Sequence, residues 1–140
     1  MLRVIASLIL AFSLHGATAK EPDQSKAAIR AKMLELAGPR AIRCGMIEHG
    51  KRLGPAWRCA QDADRAGKPF WLAQGGRRTD SVIWHLMARG PGKKRYVIFY
   101  TSNNFGQPTF DPYFSITECN EPFQLFENSL FGLRCGPDVP

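Results

Sequence analysis

The segment Arg95 to Ser102 is apolar on both faces of any strand it could form. Tyr96, Ile98 and Tyr100 fall on one side and Val97 and Phe99 on the other. Side chains alternate across a strand, so this segment belongs to a sheet that must be covered twice. The run before it repeats the problem. In Thr79 to Arg89, Val82, Trp84, Leu86 and Ala88 share one face, while Ile83 and Met87 lie opposite. Phe70 to Gln74 and Tyr113 to Cys119 read as two further strands. The connections Gly75-Gly76-Arg77-Arg78 and Gly90-Pro91-Gly92-Lys93-Lys94 are tight turns, and Asn103 to Pro112 is a longer loop. Consecutive strands joined by turns predict an antiparallel meander of about four strands.

Two helices are available as cover. Ile29, Met33, Leu36 and Ala37 mark one face of a helix that starts at Ser25 and stops at Gly38-Pro39. Lys20 to Gln24 reads as a frayed end. A second helix begins at Pro55, carries Ala56, Cys59, Ala60 and Ala63 on one side, and closes at Gly67 before Pro69. Arg40 to Met46 reads as a short strand or as an extended segment leading into Cys44-Gly45. The two helices are expected on one face of the sheet. The tail after Cys119, with Phe123, Leu125, Phe126, Leu130, Phe131 and Leu133, is expected to wrap the other. The fold class is therefore α+β.

Residues 1–19 have the layout of a signal peptide. Met1-Leu2-Arg3 is a positive start, Val4 to Leu14 an apolar run, and Ala17-Thr18-Ala19 a small-x-small cleavage site. The run is too short for a membrane span, which takes about 20 residues. The expectation is a periplasmic or secreted chain, with residues 20–140 as a single α+β domain and no span in the mature protein. Cleavage removes Arg3 and no acid, so the formal charge falls from +7 to +6. In an oxidising compartment the four cysteines, Cys44, Cys59, Cys119 and Cys135, read as two disulfides. Three connectivities are possible, and local closure favours Cys44–Cys59 with Cys119–Cys135. No Cys-x2-Cys pair suggests zinc, and no metal or cofactor is implied.

No assembled catalytic motif is present. Ser81 and His85 would lie about 13 Å apart on a strand at ~3.3 Å per residue, too far for a nucleophile and its base. Two histidines remain after the leader. His49, beside Glu48, and His85 could act as acid and base of a ribonuclease-like hydrolase, with Lys51 or Arg52 holding a phosphorane-like charge. That chemistry requires both imidazoles at one cleft. The basic clusters Lys51-Arg52, Arg77-Arg78 and Lys93-Lys94-Arg95 raise the pI to about 9.6. The meander spreads them apart, which argues against a nucleic-acid site and leaves an anionic polymer as a possible partner. The loop from Asn103 to Pro112 is the best surface candidate. Asn103, Asn104, Phe105, Phe110 and Tyr113 combine amides with aromatics, a composition suited to a protein, peptide or glycan ligand.

Cys59-x3-Ala63-x3-Gly67-x-Pro69-Phe70, Asp80-Ser81 and Tyr100-x-Ser102 resemble small exported bacterial domains of uncharacterised function. The resemblance implies a helix–meander fold and brings no catalytic residues with it. The leading expectation is an exported, non-catalytic binding module with a cationic surface and an aromatic loop. A small secreted hydrolase is the second, and an envelope-associated structural protein the third.

Overall fold

The computed structural model describes residues 21–76, 79, 81–103, 110–119, 123–125 and 133–135, with the backbone alone at 21–23, 123–125 and 133–135. Helix α1 (Glu21–Ala37) leads to strand β1 (Ile42–Ile47), helix α2 (Gly54–Arg65) and strand β2 (Phe70–Gly75). Strands β3 (Ile83–Arg89), β4 (Arg95–Thr101) and β5 (Tyr113–Cys119) follow, then the short pair β6 (Phe123–Leu125) and β7 (Leu133–Cys135). The first five strands form one sheet in the order β1-β2-β3-β4-β5, and β6 pairs with β7 separately. Residues 1–20, the expected leader among them, lie outside the described set.

The four-strand meander is present as β2 to β5, antiparallel throughout. The sheet as a whole is not purely antiparallel. The extended segment after α1 becomes β1 and pairs in parallel with β2. The reason is the connection. A hairpin returns the chain antiparallel, whereas a helix between two neighbouring strands carries it back to start the second in the same direction. α2 is that crossover. α1 also begins earlier than expected, because Pro22 sits in its first turn, where a missing N–H costs nothing.

The helices do not share a face. Ile29, Met33 and Ala37 of α1 pack on Trp71, Ala73, Trp84, Leu86, Ala88, Ile98 and Tyr100. Ala56, Ala60 and Ala63 of α2 pack on Phe70, Leu72 and Met87, the opposite set. Parallel crossovers have a fixed hand, so α2 returns on one predetermined side. α1, outside the crossover, takes the other. The second face therefore has a helical cover that the sequence reading assigned to the tail. α2 lies chiefly against β1 and β2, while the backbone of β7 comes up to β3 and β4.

Two bonds and one close approach fix the layers. Tyr100 donates a buried hydrogen bond to Ser25 Oγ at 2.9 Å, tying α1 to β4. At the other end of α1, a Cβ on Gly90 would lie 2.6 Å from the Leu36 carbonyl oxygen, so only glycine lets the β3–β4 turn close against the helix. Cys44 and Cys59 form a disulfide that joins β1 to α2. Closing a loop of this length stabilises by roughly 3 kcal/mol. Cys119 is also disulfide-bonded; the side chain of Cys135, its expected partner, is outside the described residues.

The end of α2 is held by charge. Arg89 Nη1 donates to Asp64 Oδ1 at 2.7 Å and to the Asp64 carbonyl at 2.8 Å, and Arg95 Nε donates to the same Oδ1 at 2.8 Å. Burial pushes the Asp64 carboxyl up, but the hydrogen bonds from Arg95 and Arg89 outweigh it and hold the group below the usual aspartate range. A carboxyl with a lowered folded value contributes stability that is complete above its unfolded pKa and lost as pH falls through the folded one. Asp64→Asn should lower the urea-unfolding free energy at neutral pH by up to about 3 kcal/mol, because the buried Arg89 loses its counter-charge. The variant should also flatten the loss of stability below about pH 4, near the aspartate reference value. Unfolding curves from neutral to strongly acidic pH check both.

Candidate functional site

β5 is the terminal strand of the sheet, and β4 is its only partner among the described residues. Neither helix extends over it. α1 lies on β2 and β3, and its Lys32 ammonium stands 5.7 Å from the centre of the Phe114 ring. Phe114 in turn leans on Tyr100, with ring centres 4.9 Å apart. Phe114 packs on the α1-side core and Cys119 is buried, whereas Tyr113 and residues 115–118 of the strand are exposed. Tyr113 is 47% exposed and Ile116 41%, and Phe110 in the lead-in is 39% exposed. Tyr113 shares its face of the strand with Ser115 and Thr117, also exposed, and Ile116 lies on the opposite face.

The loop that feeds β5 is closed at its neck. Asn103 and Asp111 form a bridge, Asp111 N–H donates to the Ser102 carbonyl at 3.0 Å, and Thr101 Oγ1 donates to the Asn103 carbonyl at 3.1 Å. Asn103 is thus half-buried at the neck rather than presented. Phe110 and Tyr113 are exposed on the far side of it. Asn104 and Phe105 lie outside the described residues. Ile116 adds an exposed aliphatic group that the aromatic loop composition does not indicate. Nothing local in the sequence marks Ile116, whose exposure follows from β5 being the terminal strand.

The histidines occupy different places. β1 and β2 run parallel, so their carboxyl ends, Ile47 and Gly75, lie together, the position where open parallel sheets form ligand crevices. A cavity of about 230 Å³ opens there, lined by Lys26, Glu48, His49, Gly75, Gly76, Val82, Ile83 and Trp84. A Cβ on Gly75 would sit 3.2 Å from the His49 backbone nitrogen, so glycine allows the loop after β1 to rest on the strand end. Lys26 Nζ donates to Glu48 Oε1 at 2.7 Å, and this bond holds the Glu48 carboxyl below its ordinary value. A carboxyl so held is ionised at neutral pH and is no proton donor. His49, Lys51 and Arg52 are exposed in the same loop.

His85 is absent from that cavity lining. It shares the face of Met87, which packs under α2, whereas Trp84 and Leu86 face α1. Its ring lies against Phe99, centroids 5.3 Å apart, and is buried. The structure places His49 at the rim of a cleft on the α1 side and His85 within the opposite layer. His85 Nε2 approaches the strand end at Gly76, 3.8 Å from where a Cβ there would lie, but it is His49 alone of the two that lines the cavity. Among the described residues no group of three or more His, Cys, Asp or Glu could hold a metal ion, and no helix is long and apolar enough to cross a membrane.

Burial lowers the His85 pKa. A histidine with a lowered folded value favours the native state fully above its unfolded pKa, about 6.5, and that contribution is lost as pH falls through the folded value. The urea midpoint should therefore drop between about pH 7 and pH 5. His85→Gln should remove that slope whatever its effect on overall stability, and midpoints measured across the window check it. Comparison with known proteins gives no match, whether to a family model, a curated sequence or a solved structure.

Proposed function

We propose that this protein is an exported, non-catalytic binding module that takes up an extended polypeptide segment along β5. The observation that carries the reading is the concentration of Phe110, Tyr113 and Ile116 as exposed large apolar groups on one open strand and its lead-in. A strand with one vacant side offers main-chain donors and acceptors to another chain, and alternate side chains supply selectivity. Natural sheets usually blunt such an edge with charge, proline or bulges. Here Pro112 precedes the strand, and its one charged residue, Glu118, is paired with Lys94 at 3.3 Å. The middle of the strand, Phe114 to Thr117, carries no charge.

The leader-like residues 1–19 and the cysteine pairing support a periplasmic or secreted setting, and the resemblance to small exported domains points the same way. Export implies a mature chain that begins at Lys20 with all four cysteines oxidised. Intact mass of native material checks this, and a full-length species with free thiols would remove the compartment.

The edge reading is tested with a displayed library of linear peptides, followed by titration of the best synthetic peptide. Enriched peptides should alternate apolar and polar residues and should slow hydrogen exchange at β5. Phe110→Ala with Tyr113→Ala, and separately Ile116→Lys, should each weaken binding by about tenfold or more, as loss of an interface anchor does. Affinity should change little with salt, since the contacts are apolar. Equal binding by Ile116→Lys, or protection confined to another surface, would end this reading.

A further inference from the structure

A second groove lies at the opposite edge of the sheet, between α1 and β1. Ala31 and Leu34 of α1 form one wall, and the Gly38-Pro39 turn closes one end. Ala41 and Arg43 form the other wall, and Trp71 of β2 forms the floor. Arg30 stands opposite Arg43. The cavity measures about 190 Å³, below the ~300–1,000 Å³ of pockets for drug-sized molecules. We propose that this groove binds a small amphipathic anion, an aromatic ring or short alkyl body bearing one carboxylate.

The charge is one-sided. Two arginines line the groove and no acid does. Glu35, the nearest acid along α1, is engaged by Lys32 at 2.6 Å, and neither Arg30 nor Arg43 has an ion-pair partner among the described residues. Arginine in particular presents a planar fork matched to a carboxylate. The apolar part is equally defined. Trp71 is almost buried and belongs to the core, so its indole is a fixed floor rather than a mobile flap. Leu34 is half exposed over it.

The groove also has a direction. α1 ends at Ala37, and the chain turns back through Pro39 into β1. Arg30 lies about 12 Å up the helix from Gly38 at ~1.5 Å per residue. Arg43 lies on β1 in that same direction from the turn. The last carbonyls of α1 make the turn end the negative pole of the helix. An anion is favoured between the arginines and disfavoured at Gly38-Pro39. The ligand's carboxylate therefore sits at the arginine end and its apolar body points toward the proline.

Three probes separate the parts of this proposal. Phenylacetate has ring and carboxylate, acetate the carboxylate alone, and phenethylamine the ring with the opposite charge. Titrated into the purified protein and followed by amide NMR, phenylacetate should give saturable shifts that map to the groove. Acetate and phenethylamine should bind at least about tenfold more weakly. Arg30→Gln and Arg43→Gln should each weaken phenylacetate about five- to tenfold. Ala31→Trp, which keeps both arginines and fills the space, should abolish binding. Ile116→Lys, at the far edge, should bind phenylacetate like the wild type, so the outcome is independent of the β5 reading. The proposal is overturned by no saturable response to phenylacetate, by acetate binding as well as phenylacetate, or by an unchanged affinity in the doubly substituted arginine variant.

Discussion

The structure rests on burying a sheet whose inner strands are apolar on both sides. Leu72, Leu86, Met87 and Ile98 are fully buried, and they point alternately to the two layers. Water must be kept from both layers at once, since each large aliphatic or aromatic side chain left exposed would forfeit roughly 1.5–3 kcal/mol. One helix on each face is the economical answer, and chain connectivity supplies it. α2 crosses between two parallel strands and is bound to one side by the handedness of that crossover. α1 enters from outside the crossover and closes the other. The Cys44–Cys59 disulfide fixes α2 at its middle and the Asp64–Arg89–Arg95 cluster at its C-terminal end. α1 is fixed by the Ser25–Tyr100 hydrogen bond and by the close approach at Gly90.

Two helices cannot cover five strands. Each helix is about 10–12 Å across with its side chains, and strands are spaced at about 4.8 Å. A single helix therefore shields two or three strands. The inner strands receive this shielding and the margins do not. The exposed large apolar residues follow that division. Phe110, Tyr113 and Ile116 lie at or beside β5, and Leu34 and Ile42 lie beside β1. The exposed apolar margins are thus a by-product of how the core is covered.

Much of this was legible in the chain. The four strands of the meander could be read from alternation and turn residues, because Val82-Trp84-Leu86-Ala88 and Tyr96-Ile98-Tyr100 declare a common face. Both helices could be read from Gly38-Pro39 and from Pro55 and Gly67. A short strand could be read at Arg40 to Met46, but its parallel pairing with β2 was not legible. Ile42 to Ile47 is short, contains Gly45, and has its register shifted between Arg43 and Gly45, so no clean alternation assigns its pairing. Without β1 there is no crossover, and without a crossover nothing assigns α2 a side. The site suffered from the same gap. Phe110 and Tyr113 could be picked out as aromatics near a loop. Ile116 could not, because its exposure follows from β5 being the last strand, a property of topology and not of local composition. The groove beside Trp71 depends on β1 and was invisible for that reason.

The two margins differ in charge, and this separates what each can recognise. At β5 the ionic groups are satisfied locally. Lys94 meets Glu118, and Lys32, already bonded to Glu35, lies over Phe114. Near β1 the acids are spent elsewhere, Glu35 on Lys32, Glu48 on Lys26 and Asp62 on Arg65. Arg30, Arg40 and Arg43 are left with no carboxylate partner among the described residues. The excess positive charge of the chain is therefore not spread evenly over its surface. Part of it collects where the core's tryptophan floor comes nearest to solvent. A neutral apolar edge suits a polypeptide strand, whose main chain carries no net charge. An arginine-lipped groove suits a small molecule that brings one negative charge to a hydrophobic wall. Three strands, β2, β3 and β4, separate the two margins, so the two chemical characters do not interfere.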